Sequence, residues 1–173
     1  MKITKVIGLI IAFSICANTF AKLGNRTSEI TLNPSVKIIR EQIGDGIEIV
    51  TDKKEYTTNY DVGGGTFLPM VMGFNVVSTK NRQIEYKLTL NVQNYCREEG
   101  TTNDQKMKDV KYFLDGESVI PSLRTNEITT GTFLTNNERW HQFMIKFPRI
   151  PQDNTYKMCY GFVGITAMLT NTY

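Results

Sequence analysis

Three cysteines and one histidine are the residues from which this chain could build a nucleophile or a metal centre, and their spacing argues against both. Cys16, Cys96 and Cys159 stand far apart, and His141 has no second histidine to work with, so no zinc-type ligand spacing exists. No metal site is expected. A triad would need a G-x-S-x-G turn or a free thiolate beside a histidine, and the chain offers neither, so we nominate no catalytic residue and no cofactor and expect no enzyme. Gly63-Gly64-Gly65 is followed by neither Lys-Ser nor Lys-Thr and opens no helical pattern, which makes it a flexible turn rather than a phosphate loop. Glu98 and Glu99 fall in a polar stretch where solvation accounts for them. A lone histidine in an alternating run, as His141 is, reads as structural or exposed.

The remaining chemistry is redox, and it depends on the compartment. Residues 1 to 21 carry Lys2 and Lys5, an apolar run from Val6 to Cys16, and small residues at Thr19 and Ala21, the anatomy of a cleaved secretory signal. The run is too short to span a membrane comfortably. A lipoprotein reading of Cys16 meets Ile15 where such cleavage sites want Gly, Ala or Ser. The mature chain is expected to begin at Lys22, leaving 152 of the 173 residues, one domain's worth, with no later segment apolar enough to span a membrane. Cys96 and Cys159 then form an even pair in an oxidising compartment, and a disulfide between them is expected, the alternative being two buried free thiols. Removing Lys2 and Lys5 from 20 basic residues leaves 18 against 17 acidic ones. That balance argues for no polyanion partner and no nucleic acid.

The elements that must position these residues are strands. In Ser28 to Ile39, the residues Ile30, Leu32, Val36 and Ile38 recur at every second position, with Pro34 filling the gap. Pro34 has no N–H to give a ladder, so an edge or an inserted strand suits it better than a central one. A turn is expected over Glu41 to Gly46, a short strand over Ile47 to Val50, and a polar loop over Asp52 to Tyr60. Met70, Met72, Phe74 and Val76 alternate, as do Ile84, Tyr86, Leu88, Leu90 and Val92, and the two runs are expected to pair as a hairpin through Thr79 to Arg82.

Arg97 to Asp109 reads as a surface loop. Asp115-Gly116, between Val110 to Leu114 and Glu117 to Ile120, reads as a tight hairpin turn. Ile128 to Phe133 and Trp140 to Phe147 are further extended pieces, the second with His141, Phe143, Ile145 and Phe147 on one side. Tyr156 to Thr170 is the last strand, apolar on both faces and hence central. If it lies antiparallel beside Ile84 to Val92, Cys159 and Cys96 meet. Many short strands and no helix of normal length point to an all-β sandwich.

The order of these features resembles the colonisation-factor pilins of the alternate chaperone/usher pathway. It comprises a signal peptide, an alternating N-terminal strand with an internal proline, Glu85-Tyr86-Lys87-Leu88, a hairpin at Leu114-Asp115-Gly116 and a terminal strand around Tyr160-Gly161. The resemblance implies an incomplete immunoglobulin-like sandwich completed by a donor strand. It divides the chain into a signal peptide (1–21), a donor-strand extension (22–39) and a pilin-like domain (40–173). It implies Ile30, Leu32, Val36 and Ile38 as donor side chains and Val163, Ile165, Ala167 and Leu169 as a wall of the acceptor groove. The implied partners are other pilin subunits, a periplasmic chaperone, an outer-membrane usher and a host receptor, and the implied destination is a cell-surface fimbria reached through the periplasm. The alternative is a secreted monomeric binding or inhibitor module on the same scaffold, which the sequence leaves open.

Overall fold

The computed structural model describes residues 29–32, 46–150 and 156–172, and among them every regular element is a strand. In chain order these are β1 (Glu29–Leu32), β2 (Ile47–Thr51), β3 (Tyr56–Asp61), β4 (Thr66–Phe67), β5 (Met70–Ser78) and β6 (Ile84–Glu98). They are followed by β7 (Gln105–Lys106), β8 (Lys111–Leu114), β9 (Glu117–Val119), β10 (Glu127–Thr135), β11 (Glu138–Lys146) and β12 (Lys157–Thr172). One sheet runs β10-β6-β12-β1-β3-β4, with β7 also on β6, and the other runs β2-β5-β11-β8-β9. The chain is therefore all-β, as expected, and among the described pairings only β1 with β12 is parallel.

The alternating runs decide the core. Ile84, Tyr86, Leu88, Leu90 and Val92 of β6 are buried, and so are Met70, Met72, Phe74 and Val76 of β5 and Phe143 and Ile145 of β11. They form one hydrophobic cluster shared by the two sheets. The expected hairpin between β5 and β6 does not form. β5 pairs with β2 and β11, whereas β6 pairs with β10 and β12, so the turn through Thr79 to Arg82 carries the chain from one sheet to the other. The reason is in the faces: two strands each with one dry side bury more apolar area face to face across a core than side by side in one sheet.

Other expectations are sharpened. Asp52 to Tyr60 is not all loop, since Tyr56–Asp61 is a strand whose Thr58 and Tyr60 are buried. Arg97 to Asp109 is mostly loop, but β6 reaches Glu98 and a short strand, Gln105–Lys106, pairs with its end. The expected turn at Glu41 to Gly46 lies outside the described residues except for Gly46. Asp115 and Gly116 both have positive φ, 53° and 88°, the turn conformation the Asp-Gly pair predicts. β12 is central, between β6 and β1, yet only one of its faces is fully dry: Val163, Ile165 and Ala167 are buried while Met168 on the other face is 47% exposed.

Candidate functional site

β12 and β3 do not touch each other as neighbours; the four residues of β1 join them. Ile30 is in parallel register with Cys159 and Leu32 with Gly161, while on the other side Ile30 faces Thr58 and Leu32 faces Tyr56 in antiparallel register. Without β1 the larger sheet divides into β10-β6-β12 and β3-β4. The β3-β4 side has its own anchorage in the core. Tyr60 meets Phe67 edge-on at 5.2 Å, Phe67 meets Phe147 at 5.8 Å, and Thr58 Oγ1 donates to the Leu68 carbonyl at 2.9 Å. The Tyr60 hydroxyl donates to the Ile150 carbonyl at 2.6 Å. The seam is thus a slot with two independently held walls and a short strand in it.

Of the residues nominated for the slot, Ile30 and Leu32 lie on β1, and Val36 and Ile38 lie outside the described residues. Val163, Ile165 and Ala167 are buried and Leu169 packs against the same core. β1 meets β12 at Cys159 to Gly161, one turn of the pleat before these residues, and among the described residues no strand pairs with β12 beyond Gly161 on the side away from β6. The second wall, Tyr56–Asp61, was not legible as part of a site because its alternation is carried by Tyr56, Thr58 and Tyr60 rather than by aliphatic residues. β-branched and aromatic content was the signal that could have found it.

The expected disulfide is present. Cys96 and Cys159 are opposite residues of β6 and β12, with Sγ atoms 2.03 Å apart and a sequence separation of 63. On the chain-entropy account closing a loop of that length is worth about 4 kcal/mol. It ties β12 to β6 at the level where β1 enters on the other side.

His141 is fully buried and sits in a hydrogen-bonded chain. Asp115 Oδ2 is 2.7 Å from Nδ1, and the Tyr86 hydroxyl is 2.8 Å from Nε2. A carboxylate oxygen accepts, which assigns the ring proton to Nδ1 and leaves Nε2 to accept from the Tyr86 hydroxyl. Asp115 Oδ1 also accepts from the Gln142 backbone N–H at 2.9 Å, so the tight turn of β8 and β9 is pinned to β11. Phe74 stacks on the imidazole at 5.2 Å and Phe133 meets it edge-on at 4.7 Å. Burial lowers the histidine's pKa from its ordinary value, against the raising influence of Asp115, so the ring is held neutral. Burial also raises the pKa of Tyr86 well above the usual tyrosine range, and pushes Tyr112, whose hydroxyl accepts from Asn94 Nδ2 at 2.7 Å, up to about 12. The constellation has the composition of a relay, but no ligand can reach a ring with no exposed surface; its work is to satisfy polar groups inside the core.

No three His, Cys, Asp or Glu side chains among the described residues are grouped to hold a metal ion, and no described helix is long and apolar enough to cross a membrane. No protein-family model matches the chain, and no curated protein matches it.

Proposed function

We propose that this chain is a secreted structural subunit of a bacterial surface fimbria. It polymerises when the N-terminal strand of one copy completes the sheet of the next, and it supports adhesion of the fimbria to host surfaces. The domain is an immunoglobulin-like sandwich whose donor strand is interchangeable, delivered by a periplasmic chaperone and an outer-membrane usher. The observation that carries the reading is the β1 seam: a four-residue strand is the sole described link between β12 and β3, and its pairing with β12 is parallel where every other described pairing is antiparallel. Strand addition of this kind draws affinity from main-chain bonds and register from alternate side chains. A donor strand that kept the Ile30–Cys159 register throughout would bring Val36 level with Ile165 and Ile38 level with Ala167, so that two of the four nominated donors would stand beside two of the four nominated acceptors.

A second reading, a secreted monomeric binding or inhibitor module, is favoured by one fact: β1 pairs within its own chain. One experiment separates the two. The mature chain is purified alone and again with residues 28 to 39 repeated at its C-terminus through a flexible linker. Donor exchange predicts a rise in Tm of about 10 °C or more and loss of oligomers in the fusion, the size expected when a bound strand stabilises only the folded state. Two monomers of equal stability would overturn it in favour of the second reading.

A further inference from the structure

The overall charge of the chain conceals a local concentration. At the disulfide end, the last residues of β6, the β7 loop, the segment after β11 and the start of β12 line an open cavity of about 290 Å³. Its lining brings together five cationic side chains, Arg97, Lys106, Lys108, Arg149 and Lys157, against two carboxylates, Glu98 and Asp109. The Cys96 side of the disulfide, Met107, Pro148 and Ile150 supply an apolar floor. Two of the cations are loosely engaged, Arg97 with Asp104 at 3.9 Å and Lys157 with Glu98 at 3.8 Å, and Lys106 donates to Asn126 Oδ1. Lys108 and Arg149 have no carboxylate partner among the described residues.

Arg149 is seated by the backbone beside it. Gly65 has φ +65°, and a Cβ there would come within 3.1 Å of Arg149 Nε. The Ile150 N–H donates to the Gly65 carbonyl at 2.8 Å, fixing the segment that carries the guanidinium. The glycine run that reads in sequence as a turn therefore leaves room for a cation at the rim of the cavity.

We propose that this cavity binds a small oxyanion, a sulfate, phosphate or carboxylate group, with Arg149 and Lys108 as its principal donors and Arg97 and Lys106 flanking them. Guanidinium and ammonium groups gathered on one surface favour a charged oxygen cluster, because charge-assisted hydrogen bonds are the strong ones. The volume lies at the small end of ligand sites, which suits one acidic group or one acidic sugar unit rather than an extended polyanion. The oxyanion is either a free solute or the end group of an acidic saccharide. The proposal does not depend on donor-strand exchange.

The test is residue-resolved NMR of the mature chain titrated with sodium sulfate, sodium phosphate and a sulfated disaccharide, with sodium chloride at matched ionic strength as the control. Saturable shifts confined to the amides of Cys96 to Glu98, Gln105 to Asp109 and Arg149 to Ile150 are expected. Saturation by an inorganic anion identifies a free solute as sufficient, and saturation by the disaccharide alone identifies an acidic saccharide. The K108Q/R149Q variant, both positions being exposed, is expected to keep its Tm and to bind about tenfold or more weakly, the scale of a lost charge-assisted hydrogen bond. Shifts that follow the chloride control, or affinity unchanged in the variant, would overturn the proposal.

Discussion

The two edges of β12 are held in different ways. Toward β6 the strand is paired along its length, from Lys157 opposite Glu98 to Thr172 opposite Ile84, and a disulfide locks the register near one end. Toward β1 three described register pairs, Cys159 to Gly161, carry the contact, and they are parallel. The first edge is made once, since slipping it by one residue would turn Val163, Ile165 and Ala167 to the wrong face and break a covalent bond. Along the second edge the described contact is confined to these three pairs, with no covalent link beside them. Under the proposed donor-strand reading, the first edge would be permanent and the second replaceable.

The largest expected effect breaks the permanent edge. Replacing both cysteines, C96S/C159S, is expected to cost about 4 kcal/mol, lowering Tm by about 8 to 16 °C as read by calorimetry. Leu88→Ala, in the dry face of β6, is expected to cost about 3 kcal/mol by urea denaturation whether or not a donor strand is supplied. If a supplied donor strand rescued that loss in full, the β6 side would be no more permanent than the other.

The polar chain at His141 offers a smaller effect with a defined pH dependence. Its folded pKa lies below its ordinary value of 6.5, so between the two the unfolded chain binds the extra proton and stability rises with pH. The contribution is present above about pH 6.5 and is lost as pH falls through the depressed folded pKa. Denaturation midpoints measured from pH 7.5 to pH 5 are expected to fall in the wild type. Asp115→Asn removes a group that supports the charged ring, so it is expected to cost about 1 kcal/mol near neutrality and to steepen the acid loss. A flat profile in both proteins would mean that His141 is not held neutral.

The smallest effect on stability is expected at the β1 edge. Thr31→Pro removes one backbone donor from β1, which pairs with Tyr160 and Thr57, and is expected to cost about 1 kcal/mol or less while abolishing intermolecular strand exchange. Equilibrium denaturation and the appearance of oligomers on mixing with donor peptide read the two quantities separately. A stability loss as large as that of Leu88→Ala would erase the distinction between the edges.

Alternation was legible wherever aliphatic residues carried it. Ile84 to Val92, Met70 to Val76 and the His141 to Phe147 face were readable as strands with a dry side, because a pleated strand exposes alternate residues to one environment. The Asp115-Gly116 turn was readable because the pair tolerates positive φ at both positions. The Tyr56–Asp61 strand was not, since Asn59 and the threonines are equally at home in a loop. The cationic cavity was not readable either: Arg97, Lys106, Arg149 and Lys157 are scattered along the chain and meet only when four segments converge.

By itself the amino-acid sequence determined the all-β class, the side of each main strand that is buried and the even cysteine pair. Those follow from solvent and oxidation acting on side chains, which the sequence spells out. Only the tertiary structure decided that β5 and β6 belong to opposite sheets, that β12 takes β6 on one edge and β1 on the other, and that Asp115 reaches His141. Strand pairing is made by backbone N–H and C=O groups that are the same at every residue, so the choice of neighbour rests on how all the dry faces close around one core.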